Sequence, residues 1–141
     1  MKKIKPASPV LAGKIPIAVP PSPNKTLLFS FKYLDMTSNP KFRLSHAQTG
    51  YPEKLLLRLK DLGGWTIKEF CGNFTKALRG HVIRFERTSE PKGFMCLNPQ
   101  LRQHEPWQFE ICSNAHGRVH GFFMDDLFYI VWIDPAHKLS A

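Results

Sequence analysis

The chain has 141 residues, 43% hydrophobic and 12% aromatic, and carries a net charge of +9. That is room for one domain with a real core plus a tail, and no apolar run approaches the roughly 20 residues that span a bilayer. Three cysteines without paired spacing (Cys71, Cys96, Cys112) argue against a disulfide framework, and six scattered histidines with no Cys-x-x-Cys argue against zinc. No metal or other cofactor is expected, and the chain reads as cytoplasmic.

Residues 1–25 hold six of the 12 prolines and five lysines (Lys2, Lys3, Lys5, Lys14, Lys25) with no acidic residue. The prolines break up what would be the apolar region of a signal peptide. Such a segment cannot bury enough surface to offset its ordering entropy, so it is expected to be an extended basic arm. Residues 26–141, with 15 basic and 11 acidic residues, are expected to form a single domain. A basic domain with a more basic arm points to nucleic acid, a ribosome or an acidic protein partner.

Lys25 to Leu34 is the first strand candidate, rich in aromatic and β-branched residues. Asp35 to Gly50 reads as a loop. Pro52 then opens a helix through Leu62 that Gly63-Gly64 closes, with Leu55, Leu59 and Leu62 as its buried stripe and Leu56 beside it. Thr66, with Glu69 three residues on, forms a capping-box signature for a second helix whose stripe is Phe70, Phe74, Ala77 and Leu78. His81 to Glu86 alternates as a strand, Ser89 to Gly93 is a loop, and Phe94 to Gln103 has no readable period. Trp107 to Cys112 is a strand with Trp107, Phe109 and Ile111 on its core side.

The chain ends in a hairpin around Asp125-Asp126, since Asp tolerates the positive φ of a tight turn. A two-residue loop sets Met124 against Leu127, Phe122 against Tyr129, His120 against Val131 and Arg118 against Ile133. The other face then carries Val119, Phe123, Phe128, Ile130 and Trp132, for the helices to cover. This predicts an α+β fold: a curved, mostly antiparallel sheet of four to five strands with two helices packed on one face, preceded by the extended arm. The face carrying Arg118, His120 and Tyr129 is left free.

Element order and the hairpin motifs Arg118-Val-His120, Asp125-Asp126 and Tyr129 through His137 resemble the RelE/ParE toxin superfamily. There, a late strand carrying an Arg precedes a tight turn, and the final strand runs to a terminal His or Tyr region. The resemblance spans residues 26–141 in topology but only the C-terminal hairpin in motif. The longer first strand, the interrupted helical pair and the Pro-rich arm depart from it.

The resemblance implies metal-independent RNA cleavage on the exposed sheet face, with the RNA 2′-OH as nucleophile and the protein supplying proton transfer and charge stabilisation. His120 has the intrinsic pKa for base or acid, and Arg118 and Arg84 suit the phosphate. Tyr129 would orient the phosphate or stack a base. Arg79, His81 and His137, with Lys2, Lys3, Lys5 and Lys14 of the arm, are the expected nucleic-acid contacts. An antitoxin or other protein that orders residues 1–25 is the matching partner.

Each residue also has a structural reading: His120 as a satisfied strand histidine, Tyr129 and Phe122 as a cross-strand aromatic pair, Arg118 as a partner of Asp134. The alternative function is a non-catalytic module, from a phage or mobile element, that binds nucleic acid or docks on a protein as an inhibitor or accessory subunit.

Overall fold

The computed structural model describes residues 22–111 and 117–140. Their elements are β1 (Leu28–Ser30), α1 (Tyr51–Leu62), α2 (Ile67–Ala77), β2 (His81–Val82), β3 (Trp107–Glu110), β4 (Arg118–Met124) and β5 (Leu127–Asp134). Three single 3₁₀ turns lie between them, at Leu44–His46, Phe85–Arg87 and Leu101–Gln103. The five strands form one sheet in the order β1-β5-β4-β3-β2, antiparallel except for β1, which runs parallel to β5. This is the α+β class expected.

Local chemistry sets the helices. Pro52 sits in the first turn of α1, where its missing N–H is not needed. At the start of α2 the Thr66 hydroxyl accepts from the Glu69 N–H (3.1 Å), and the Thr66 N–H donates to the Glu69 carboxylate (2.8 Å). That reciprocal box satisfies two of the donors a helix N-terminus leaves open. Leu55 and Leu62 of α1 and Ile67, Phe70 and Phe74 of α2 are buried against Phe109, Val119, Phe123, Phe128, Ile130 and Ile133 of the sheet. Phe70 meets Phe109, Phe123 and Phe128 edge-on at 5.7–5.9 Å. Each such ring contributes roughly 1.5–3 kcal/mol on burial. Leu56, expected beside the stripe, points outward and is 65% exposed.

Three predicted strands are shorter than expected; β3 ends at Glu110, with Ile111 already outside it. Beyond Trp107 the partner of β2 reaches Pro106, which has no N–H to continue the ladder, and the chain turns into the 3₁₀ segment at Phe85 instead of running to Glu86. At the first strand, the Leu34 N–H bonds back to the Phe31 carbonyl, so pairing stops at Ser30. The expected arm boundary also moves. The Pro23 and Lys25 carbonyls accept from the Lys68 and Ile67 N–H groups, and Ser22 donates to Asp126 at the hairpin tip. Residues 22–25 therefore belong to the domain, whereas Lys2, Lys3, Lys5 and Lys14 lie outside the described residues.

The hairpin turns on two residues at positive φ, Asp125 (53°) and Asp126 (64°), as a type I′ turn requires. Pairing from Met124–Leu127 to Phe122–Tyr129 follows the expected register. It then slips: Gly121 pairs with Ile130 but His120 pairs with Trp132, leaving Val131 as an extra residue. The bulge turns Trp132 away from the helices and brings Ile133 toward them. Nor is the second face free. Phe122, Tyr129, Val131 and Trp132 form a second core with Phe42, Ile83, Phe94, Leu97 and Leu139, supplied by the loops and the C-terminal segment.

Gly121 permits the bulge. A Cβ there would strike the Tyr129 carbonyl oxygen and come within 2.7 Å of the Phe128 ring. Because backbone cannot yield as a flexible side chain can, Gly121→Ala is expected to destabilise the fold by roughly 3 kcal/mol. Urea denaturation reads this directly; an unchanged midpoint would show that the strand pair has room to spare.

Candidate functional site

Arg118, His120 and Tyr129 do lie on one sheet face, but that face is covered. His120 is fully buried, with its ring against Phe42 and Trp132 at 6.0 and 6.1 Å. Its Nε2 lies 3.3 Å from an Asp134 carboxylate oxygen, to which it donates, and its Nδ1 is buried without a partner. Asp134 also accepts from the Lys138 and Leu139 N–H groups at 2.7 and 2.9 Å, which pins the C-terminal segment over the sheet. Tyr129 is 7% exposed, stacked on Phe122 at 5.4 Å and tilted against Tyr33 at 5.2 Å. The cross-strand pair is present as expected.

Arg118 pairs with Glu110 (3.1 Å), not with Asp134, and Arg79 approaches the other Glu110 oxygen at 3.6 Å. His81 lies at the exposed edge, where Nδ1 donates to the Val82 carbonyl and Nε2 accepts from Gln108 (3.0 Å). Arg84 is exposed at the start of the Phe85–Arg87 turn, and His137 follows β5 at positive φ. A base acting on RNA must touch it. The burial of His120 removes the hairpin face as the place where that happens.

Burial lowers the His120 pKa; the hydrogen bond and charge of Asp134 oppose this, while Arg118 and His81 add to it, and the ring stays neutral. For Asp134, burial alone would raise the carboxyl, but the bonds from His120, Leu139 and Lys138 outweigh it and hold the group below its usual range. Asp35, held by Ser38, Thr37 and Trp132, is likewise lowered against the effect of burial. The Cys96 thiol is pushed up to about 11 by burial and by Asp35, which leaves it a poor nucleophile.

An open concavity lies elsewhere. A cleft of about 410 Å³ runs between the Phe85 turn, the Lys92–Phe94 loop and the Leu101–Gln103 turn. Its walls are Phe85, Phe94, Pro99 and Pro106, and its polar lining is Lys92, Arg102, Gln103 and His104, with no carboxylate. Asn98 starts the turn that places Arg102, its side chain accepting from the Leu101 N–H at 2.8 Å. Phe94 stands edge-on to both Phe85 (5.0 Å) and Trp132 (4.9 Å), so the cleft floor is continuous with the second core. Gly93 sits at φ 76°, and a side chain there would press the Phe85 ring at 3.0 Å.

Among the described residues, neither Lys92 nor Arg102 belongs to an ion pair; nearby Glu90 is engaged by Lys41. Arg102 Nη1 contacts the Met95 sulfur at 3.0 Å, while its Nε is buried without a partner. His104 stacks on Phe122 at 5.2 Å, with its Nδ1 also buried and unpartnered. Burial lowers the His104 pKa, with Asp125 opposing. The arrangement offers cationic donors beside flat rings, which suits an anion joined to a planar group. Among the described residues no group of His, Cys, Asp or Glu is arranged to hold a metal ion.

None of the cleft residues stood out in the sequence. Phe94, Pro99, Arg102 and Gln103 fall in the stretch without period, and the available signal was Lys92 and Arg102 spaced among Phe85 and Phe94.

The pKa shifts fix a pH response. Because His120 binds its proton more weakly folded than unfolded, its contribution is complete above the ordinary value of 6.5 and is lost as pH falls through it. His104 acts with the same sign. The lowered Asp35 and Asp134 contribute above 3.8 and are lost below it. The melting temperature is expected to fall between about pH 7 and pH 5, more gently in His120→Phe, and again below about pH 4. A wild-type melting temperature that is flat from pH 7 to pH 5 would contradict the buried neutral histidine. No protein-family model matches the chain, and neither the curated proteins nor the solved structures contain a match.

Proposed function

We propose that the protein binds single-stranded RNA through the Lys92/Arg102/His104 cleft, as a non-catalytic module. The observation that carries this reading is the lining: two cations and an imidazole beside Phe85 and Phe94, with no carboxylate among the lining residues. Single-strand binding combines these two parts, cations that follow the phosphates and aromatic rings that stack bases at about 1–3 kcal/mol each. The net charge of +9 adds long-range attraction for a polyanion. Exposed Arg79, His81 and Arg84 extend the basic surface along the same stretch of chain. The resemblance in element order to RelE/ParE toxins agrees with RNA as the polymer. The cleavage that the resemblance implies finds no support in the buried His120.

Fluorescence anisotropy with an internally labelled single-stranded RNA tests this. Affinity is expected to fall steeply with salt, and Lys92→Ala and Arg102→Ala are each expected to weaken it about ten-fold. Phe85→Ala is expected to lose about 1–3 kcal/mol of stacking. The RNA should be recovered intact. If the Lys92→Ala/Arg102→Ala double variant binds like wild type, the cleft is not the site. RNA cut by wild type and spared by His120→Ala would restore the nuclease reading instead.

A further inference from the structure

We infer that the cleft is built for a terminal phosphate, a phosphate monoester at a strand end, and not for the diesters within a strand. The inference rests on the RNA-binding reading and deepens it. Charge is the first argument. Lys92 and Arg102 place two positive charges in the lining, and no carboxylate in the lining offsets them. A monoester carries about −1.5 to −2 at neutral pH, against the single charge of a diester. Only the monoester approaches neutrality with this pair.

Donor count is the second. Arg102 Nε and His104 Nδ1 are both buried without a partner, and both residues line the cleft. Buried polar atoms rarely go unsatisfied, and both belong to side chains that line the cleft, so a small rotation of either would offer its donor to a ligand there. With the Lys92 ammonium they make three donor groups. A terminal phosphate presents three free oxygens to them, whereas a diester presents two. Protonated at Nδ1, neutral His104 donates without needing a charge.

Space is the third. A cleft of about 410 Å³ is toward the small end of the range for small-ligand sites, roughly 300–1,000 Å³. Pro99 and Pro106 contribute to its walls. That volume suits a ligand the size of one nucleotide, with its phosphate toward Arg102 and its base toward the Phe85 ring.

Three RNA oligonucleotides of one sequence decide the matter: one with a 5′-phosphate, one with a 3′-phosphate and one with hydroxyls at both ends. One phosphorylated form is expected to bind about ten-fold tighter than the hydroxyl form. Arg102→Gln and His104→Phe should each erase that advantage while changing the hydroxyl form less. Equal affinity for all three, weakened equally by Arg102→Gln, would place internal phosphates in the cleft; the terminal-phosphate inference then falls and RNA binding stands. If no oligonucleotide binds, RNA binding falls and takes the inference with it. A nucleoside monophosphate that displaces the phosphorylated strand and binds tighter than it overturns the assignment to a strand end.

Discussion

One extra residue in the last strand decides how the sheet is used. Val131 has no partner across the hairpin, and the slip it introduces turns two consecutive side chains, Val131 and Trp132, to the face away from the helices. Trp132 becomes the centre of the second core, stacked on Phe42 at 4.2 Å and met edge-on by Phe94 and Phe85. The loops from residues 33 to 42 and 83 to 101 thus gain an apolar surface to fold onto. Without it the sheet would have one dry face and one wet one, as antiparallel sheets commonly do.

Buried carboxylates complete that second layer. Asp35 ties the Thr37–Ser38 turn to the Trp132 indole, and Asp134 ties His120 to the backbone at residues 138 and 139. Both sit where an unpaired charge would be strongly unfavourable, and both are held ionised by several donors. These carboxylates act as clamps between irregular chain and regular strand. The cleft shares this layer through Phe94, which belongs to the second core and lines the cleft.

Much of the fold was legible because its signals are local. The Thr66/Glu69 box, Pro52, the Gly63 stop and the Asp125-Asp126 turn each act within a few residues, and each forms as expected. The assignment of faces failed at a single point, since nothing in Tyr129 to Asp134 marks Val131 as the bulge. Gly121 opposite was the only hint, and its meaning depends on the Tyr129 carbonyl it must pass. From there the error reached His120, whose shared face was right and whose exposure was wrong. The cleft stayed hidden for another reason. It is assembled from single 3₁₀ turns and loops, which have no period to detect, and its residues meet only once the second core exists.

The parallel pairing of β1 with β5 has a consequence for how the chain comes to be folded. Leu28 meets Leu127 and Ser30 meets Tyr129, partners separated by nearly the whole domain. Contacts of such long sequence separation must overcome a large loop-closure entropy before any reward, which slows folding. The first strand, the helix pair's apolar stripes and the loops of the second layer before it all wait for a strand that is synthesised after them. During translation the chain therefore exposes nearly all of its future core until residues near 134 are available. Of the products of premature termination, none ending before β5 is expected to be a smaller folded domain, and each would present the apolar surface that chaperones and proteases recognise.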